Sequence, residues 1–474
     1  MIIRRYKLEN YLSFTPIILF IFIAAFILIV LKALAMPQPG DENVYYYMGK
    51  LVSEGKVPYR DFFFAHPPLH IYLLALVYKI FGFKIIIMKL LPLIATLISA
   101  VFVFIIAKDK FGHYEAITSS LLFLFAYSVI FNSVFSFGIE IAAMFFIIGA
   151  YFLLDKKNEL LSGIFFGLAA VTRLLTLVPI AAIFIIVLFQ DNFSKKRFFQ
   201  TKILKLLSGF FLIFFLVNGI FVLLFGADYL ISVYKFHLLK SSAGAENFKE
   251  YAETIKLNWI LFSSFFLFFF IKEKKRIMVF FSVSVIYLMF LIALKRIFGF
   301  YFIVIFPFLA IIGGYGVVNI IRNLSSRKKI AATAAILLLF IFAWNLTSDI
   351  LFAEKIGFIG FERGNDLVDY INSVSGKNTL IFGDDSTVPL LALMTNKKIA
   401  MDFVDTNNEV FISGVRNLGK ILADLKGKDI LFIIRSRQGI SYFQEVKNFL
   451  NDNCEFLSSF HDKMQGEYLF YKCR

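Results

Sequence analysis

Two adjacent carboxylates, Asp41 and Glu42, stand directly after the first long apolar run of the chain, and His66 follows in the same polar stretch, ahead of Pro67-Pro68. A carboxyl at the edge of hydrocarbon loses part of its hydration, which makes it a better proton acceptor than one in open water. Asp is equally a favoured N-cap, so Asp41 could instead serve the helix that starts at Asn43. Glu140 stands at the foot of another apolar run, just after the turn Asn132 to Gly138, and acids so placed are expensive and often functional. His66 could donate to an anionic group or simply be wet. Arg173 interrupts the apolar stretch from Leu160 to Phe189, and Arg296 follows Lys295 in a later turn; a permanent cation at such a position suits phosphate, or anchors the chain by snorkelling. Tyr45, Tyr59 and Asp61 in the first polar stretch, His237 in a second, and Tyr301 beside Phe300 are the remaining polar side chains expected to line a substrate there.

The elements that must position these groups are membrane elements. Of 474 residues 59% are hydrophobic and only 17% charged, against about 45–50% and about 25% in a soluble domain. Apolar runs at 16–34, 90–107, 116–131, 141–154, 161–172, 174–189, 203–225, 258–271, 277–294, 301–321 and 330–348 predict about eleven transmembrane helices. The net charge of +16 reflects Lys and Arg in short alternate connections, among them Arg4, Arg5, Lys7, Lys195, Lys272 and Arg327. Those connections are assigned to the cytoplasm by the positive-inside rule, and nucleic-acid binding is set aside. The longer loops 36–89 and 226–257 then face outward. Within the first, Asn43 to Ser53 and Leu69 to Phe81 are predicted as interfacial helices.

Near Glu354 the composition turns charged and turn-rich. Strands are predicted at Thr379–Phe382, Ile399–Phe403, Asp429–Ile434, Cys454–Phe460 and Glu467–Lys472, with helices around Gly364–Val374, Val415–Leu425 and Ser441–Leu450. Strands alternating with helices predict a small α/β domain. The expected organisation is therefore a transmembrane part, 1–353, with its N-terminus cytoplasmic, and an extracytoplasmic α/β domain, 354–474. Cys454 and Cys473, the two cysteines, would be free to form a disulfide on that side. The Gly383-Asp384-Asp385-Ser386 segment reads as a polar turn, with a ligand site as the alternative.

The Asp41-Glu42 pair after span one, the Gly55…Pro58-Tyr59…Asp61 stretch, His66-Pro67 and the short helix ending Phe81-Gly82 together resemble the GT-C glycosyltransferases. The resemblance is to the family 39-like group, which includes the protein O-mannosyltransferases and the bacterial aminoarabinose transferase of lipid A, and it is carried by roughly the first 180 residues. It implies a polyprenyl-phosphate-linked sugar donor, an acceptor that is protein, lipid or glycan, and action on the outer face of the cell membrane. It carries the catalytic base or acceptor-orienting role onto Asp41, the adjacent acid onto Glu42 and a second-loop acid onto Glu140. His66 stands where the aminoarabinose enzyme has a lysine, and Thr172-Arg173 matches a Thr-Lys pair. On this basis Asp41, Glu42 and Glu140 are the expected catalytic residues. His66, Arg173 and Arg296 would bind the donor phosphate, and Tyr45, Tyr59, Asp61, His237 and Tyr301 would line the substrate. The carboxylates could also hold a divalent cation, Mg or Mn. The competing expectation is a transporter or flippase for a lipid-linked or anionic solute.

Overall fold

The computed structural model describes residues 2–474 apart from 191–195, 272, 325–327, 354–360, 362, 437 and 464–465. The expected boundary at Glu354 and the basic residues Lys195, Lys272 and Arg327 lie outside the described residues. Two compact units emerge from the packing. One comprises Met1–Leu31, Pro92–Asn218 and Ala243–Ala353; the other comprises Lys32–Leu91, Gly219–Ser242 and Glu354–Arg474.

The first unit is helical. Four helices of the chain are long and apolar enough to cross a bilayer: Phe14–Ala35, Ile85–Lys110, Lys202–Leu239 and Phe306–Leu324. A fifth is added if Ala245–Leu257 and Trp259–Phe270, bent by 87°, form one broken span, and shorter apolar helices such as Ile139–Leu154 and Met278–Ile292 accompany them. The protein is a polytopic α-helical membrane protein. Apolar side chains face outward along these helices, as Leu223 and Trp344 do, because lipid replaces water around them. Close helix approach relies on glycine where the backbones meet: a Cβ at Gly163 would collide with the Leu206 carbonyl, and one at Gly209 with the Leu160 carbonyl. The run expected as a single span at 116–131 is two helices, His113–Leu124 and Tyr127–Asn132, separated at Phe125-Ala126. The loop expected from 226 is helical as far as Leu239, with a kink at Gly226, whose φ of 52° only glycine adopts readily.

The second unit holds the sheet domain and the first polar stretch. Helix α1 (Ile2–Ala35) is followed by α2 (Glu42–Ser53), α3 (Leu69–Phe81) and α4 (Ile85–Lys110). Helices α2 and α3 cross at Gly49, where a Cβ would lie 3.0 Å from Leu74 Cβ. Most of α2 is buried, Tyr46 and Tyr47 almost fully. Strands β1 (Leu380–Gly383), β2 (Ile430–Arg435), β3 (Cys454–Asp462) and β4 (Gly466–Cys473) form one sheet in the order β1-β2-β4-β3. The β1 and β2 strands are parallel; the other pairs are antiparallel. Phe382, Leu422, Ile430, Phe432, Val446 and Phe449 build the core on one face.

The strand expected at Ile399–Phe403 is instead a 3-10 turn, Ala400–Asp402, joined to the sheet by the single bridge Ile381↔Ile399. Met401 and Asp402 adopt positive φ there, which a strand cannot accommodate. The helix Val388–Thr395 was missed because its first six residues are all buried, so it carries no amphipathic period to detect.

Cys454 and Cys473 are bonded across the end of the β3/β4 hairpin. With a sequence separation of 19, the link restricts the unfolded chain and stabilises the domain by about 3 kcal/mol. A Cys454→Ser/Cys473→Ser protein should therefore unfold at lower urea than the parent. The parent treated with reductant should match the double variant, and equal midpoints for parent and variant would contradict this.

Candidate functional site

Asp41 sits at the N-cap of α2 but makes no side-chain cap bond, and its side chain is exposed. The capping role open from the sequence is thus not taken up; the first turn is closed by backbone, with Val44 N–H donating to Asp41 O at 3.1 Å. Glu42 points the other way. It is 1% exposed, and neither carboxyl oxygen has a hydrogen-bond partner. The side chain folds back on Gly40, where a Cβ would collide with it. Burial pushes the Glu42 carboxyl up, and the Lys89 ammonium opposes that shift. Lys89 is itself fully buried, and its Nζ donates to the carbonyls of Ala33 at 2.8 Å and Met36 at 2.7 Å. These carbonyls belong to the end of α1, so a lysine from α4 satisfies groups the helix itself cannot pair. The two neighbouring acids therefore differ in kind: Asp41 faces outward and Glu42 is held inside.

The loop behind them is built as a frame. Asp61 accepts from Val57 N–H at 2.7 Å and from the Arg60 guanidinium at 2.8 and 3.0 Å, and Arg60 beside it holds its carboxyl below the usual range. Tyr59 adopts φ 73° and is almost fully buried. Its ring meets Tyr229 edge-on at 4.9 Å, and its hydroxyl donates to His66 O at 2.7 Å. Tyr59 and Asp61 thus shape the loop that presents His66.

His66 does not stand alone. Its ring stacks on His237 with centroids 5.4 Å apart, and Tyr45 Oη lies 3.2 Å from His66 Nε2. His237 Nε2–H donates to Ala65 O at 2.7 Å, which fixes its tautomer. Phe63, Ala65, Phe236 and Val410 pack beneath this array. Ser241 donates through N and Oγ to Glu409 at 3.0 and 2.6 Å, tying the segment after His237 to the sheet domain. With its Nε2–H committed to Ala65 O, His237 can donate to an anionic oxygen only through Nδ1 of the protonated ring.

At the carboxyl ends of β1 and β2 the supposed polar turn is interior. Asp384 is 1% exposed and accepts from Arg435 Nε at 3.0 Å, Ser386 Oγ at 2.8 Å and Thr387 N–H at 3.0 Å. Gly40 N–H donates to Ser386 O at 3.0 Å, which brings Asp41 to this edge. The outer side of the carboxyl ends of strands is where α/β sheets commonly bind ligands.

The other predicted residues lie in the helical unit. Glu140 is 2% exposed, neither of its carboxyl oxygens has a hydrogen-bond partner, and Arg173 acts on it electrostatically. It lines a cavity of about 10 Å3 with Thr96, Ser99, Asn132, Ser133 and Ile303, the room of about one water. Arg173 lies in extended conformation at the break between the helix Glu159–Ala170 and the turn Leu174–Thr176. Arg296 is in a turn held by the helix Ala245–Leu257: Asn247 Nδ2 donates to Leu294 O and Lys295 O, and Asn247 Oδ1 accepts from Ile297 N–H. Tyr301 lies in the 3-10 turn Gly299–Val304, where its carbonyl accepts from Tyr287 Oη at 2.9 Å. Asp41, Glu42, Tyr45, Tyr59, Asp61, His66 and His237 thus belong to one compact unit, and Glu140, Arg173, Arg296 and Tyr301 to the other.

Lys89 and Arg435 were not singled out from the sequence, although a lone lysine in an apolar helix is a signal in its own right. Among the described residues no group of three or more His, Cys, Asp or Glu side chains is placed to hold a metal ion.

Comparison with known proteins agrees with this architecture. Residues 65–221 match the sequence family described as dolichyl-phosphate-mannose-protein mannosyltransferase. Among solved structures the chain is similar to ArnT from Cupriavidus metallidurans bound to undecaprenyl phosphate, with a TM-score of 0.66 at 12% identity over 95% of this chain and 97% of that one. The apo state of the same protein gives 0.64 at 12% identity with the same coverage. The archaeal oligosaccharyltransferase AglB from Archaeoglobus fulgidus, in complex with an inhibitory peptide and a dolichol-phosphate, gives 0.56 at 9% identity over 96% of this chain and 74% of that one. No curated protein matches the sequence. The fold is that of the GT-C glycosyltransferases, as the resemblance implied.

Proposed function

We propose that this protein transfers a sugar from a polyprenyl phosphate to an acceptor on the extracytoplasmic face of the membrane, with Asp41 as the base. The observation that carries the reading is the division of labour at positions 41 and 42: one acid is exposed and not used for capping, while its neighbour is buried. The solved GT-C structures with undecaprenyl phosphate and dolichol-phosphate support the donor class. In the step, the acceptor's heteroatom bonds to the anomeric carbon and its proton passes to the Asp41 carboxylate. The bond from that carbon to the phosphate oxygen breaks, and its electron pair leaves with the polyprenyl phosphate. The developing negative charge calls for donors. On this reading His66, which Tyr45 meets at Nε2 and His237 stacks against, supplies one. The N-terminus is cytoplasmic and the sheet domain outside, where its disulfide forms.

The test is incubation of the purified protein in liposomes with a panel of polyprenyl-phosphate sugars and candidate acceptors. Release of polyprenyl phosphate with a glycosylated acceptor is expected. Movement of an intact lipid-linked sugar across the bilayer without cleavage would favour a flippase, for which the buried Glu140 and Arg173 are the residues of interest.

A further inference from the structure

The sheet of the second unit has two dissimilar ends. From Glu354 onward the chain carries 15 Lys and Arg against 16 Asp and Glu, so this stretch is close to neutral, yet its charge is sorted. Asp384 and Asp385 follow the carboxyl end of β1, and Thr406 Oγ1 donates to Gly383 O at 2.6 Å, which brings Asp405 to the same end. Cations gather at the other end, where β1 and β2 begin and the antiparallel β4 finishes. There an open cleft of about 520 Å3 is lined by Gly376, Thr379, Gly427, Asp429, Lys472 and Arg474, with Val374 at its edge. Lys377, Lys426 and Lys428 stand in the two loops that border it.

The wall of the cleft is braced. Buried Lys397 donates from Nζ to Gly376 O at 3.0 Å, and Thr379 N–H donates to the same carbonyl at 3.2 Å. Thr379 Oγ1 donates to Asp429 Oδ2 at 2.5 Å; Lys472 Nζ pairs with Asp429 and lies 3.4 Å from Thr379 Oγ1. One carboxylate thus serves a hydroxyl and an ammonium from two different segments, and Glu455 stands across from Lys472 on β3. Against those two acids stand Lys472, Arg474 and the three loop lysines, so the cleft has an excess of positive charge. Gly427, at φ 72° with open space where a side chain would be, lets its loop turn tightly and leaves backbone bare at the rim.

We propose that this cleft is a binding site for a sugar phosphate, separate from the first-loop site and independent of the transfer reading. An ammonium and a guanidinium in one lining suit a phosphate dianion, the first as a point charge and the second as a bidentate donor. The volume falls in the range of small-ligand sites, about 300–1,000 Å3, and exceeds what a phosphate alone fills. Apart from Val374 the lining offers a hydroxyl, a carboxylate and bare peptide, groups that pair with sugar hydroxyls and give little to an apolar ligand. Asp429 has a double part. It holds Lys472 and Thr379 in place, and its charge opposes the phosphate, which must compete with it for Lys472. The four residues of β1, about 13 Å of strand, separate the cleft from the edge where Ser386 O accepts from Gly40 N–H. A ligand in the cleft therefore does not occupy the place of Asp41.

The test is calorimetric titration of the whole protein, in an uncharged detergent, with glucose 1-phosphate, inorganic phosphate and glucose. Saturable binding of glucose 1-phosphate is expected, tighter than that of inorganic phosphate, absent for glucose and weakened by added NaCl. Lys472→Gln should weaken it by at least about tenfold, the effect of losing one charge-assisted hydrogen bond, and Lys472→Arg should retain it. Asp429→Asn should tighten it, a gain that damaged folding cannot produce. No saturable binding by the parent, or equal affinity in Lys472→Gln, would overturn the proposal. Binding lost in His66→Ala and kept in Lys472→Gln would place the phosphate at the first loop and overturn it as well. Should Lys472→Gln fail to fold, the direction of the Asp429→Asn effect decides. A parent that shows the expected binding series but transfers no sugar would leave the cleft standing and remove the transferase reading instead.

Discussion

Asp41→Asn should lower sugar transfer by about 10²- to 10⁴-fold, the contribution of a well-placed general base. Asp41 is exposed and makes no side-chain cap bond, and Asn is as good an N-cap residue as Asp, so the unfolding midpoint should stay within about 0.5 kcal/mol of the parent. The loss should fall on kcat, because the proton is transferred only as the new bond forms. A folded Asp41→Asn protein that transfers sugar at the parental rate would remove Asp41 from the mechanism, and with it the reading of the first-loop pair. Glu42 behaves differently in the same assay. It lies inside the protein, so Glu42→Gln should alter transfer through the packing of α2 and not through loss of a base.

The largest effect on stability is expected at Lys89. Its ammonium answers two helix-end carbonyls, Ala33 O and Met36 O, and is the charge that offsets the buried Glu42 carboxyl. Lys89→Met would keep most of the apolar stem while leaving those carbonyls without their donor and Glu42 without its counter-charge. Leaving buried carbonyls without their donor costs about 1–3 kcal/mol each, and the lost counter-charge towards Glu42 adds to it. The unfolding midpoint in detergent should fall accordingly. Lys89→Met/Glu42→Gln should recover part of the loss, since the second change removes the uncompensated acid but not the orphaned carbonyls. A double variant no more stable than Lys89→Met would show that Glu42 and Lys89 act separately, and a Lys89→Met protein as stable as the parent would rule out the structural role altogether. Partial recovery would place the pair as the strut that fixes where α2, and therefore Asp41, begins.

The elements themselves were largely legible from local pattern. The helices from Glu42 to Ser53 and from Leu69 to Phe81, the strands β1 to β4 and the helix Gly364–Val374 lie close to where hydrophobic period and turn residues put them. Where the pattern failed, the cause was a feature with no period: the positive φ at Met401 and Asp402, and a helix at Val388–Thr395 buried too completely to alternate. The candidate acids were legible too, because a charged residue beside a long apolar run is visible in the chain alone.

What each candidate does was not. Nothing local distinguishes Asp41 from Glu42; they are adjacent acids in one turn. They part company because Lys89 and the fold of Gly40 take one inward, and those partners come from elsewhere in the chain. His66 meets His237, and Gly40 meets Ser386, only through tertiary packing. Sequence alone determined that this is a many-helix membrane protein with a small α/β domain and acids near the first span, since hydrophobicity and period are local properties summed along the chain. The tertiary structure decided which acid is exposed and which lysine is buried, because the cost of burying a charge depends on partners distant in sequence.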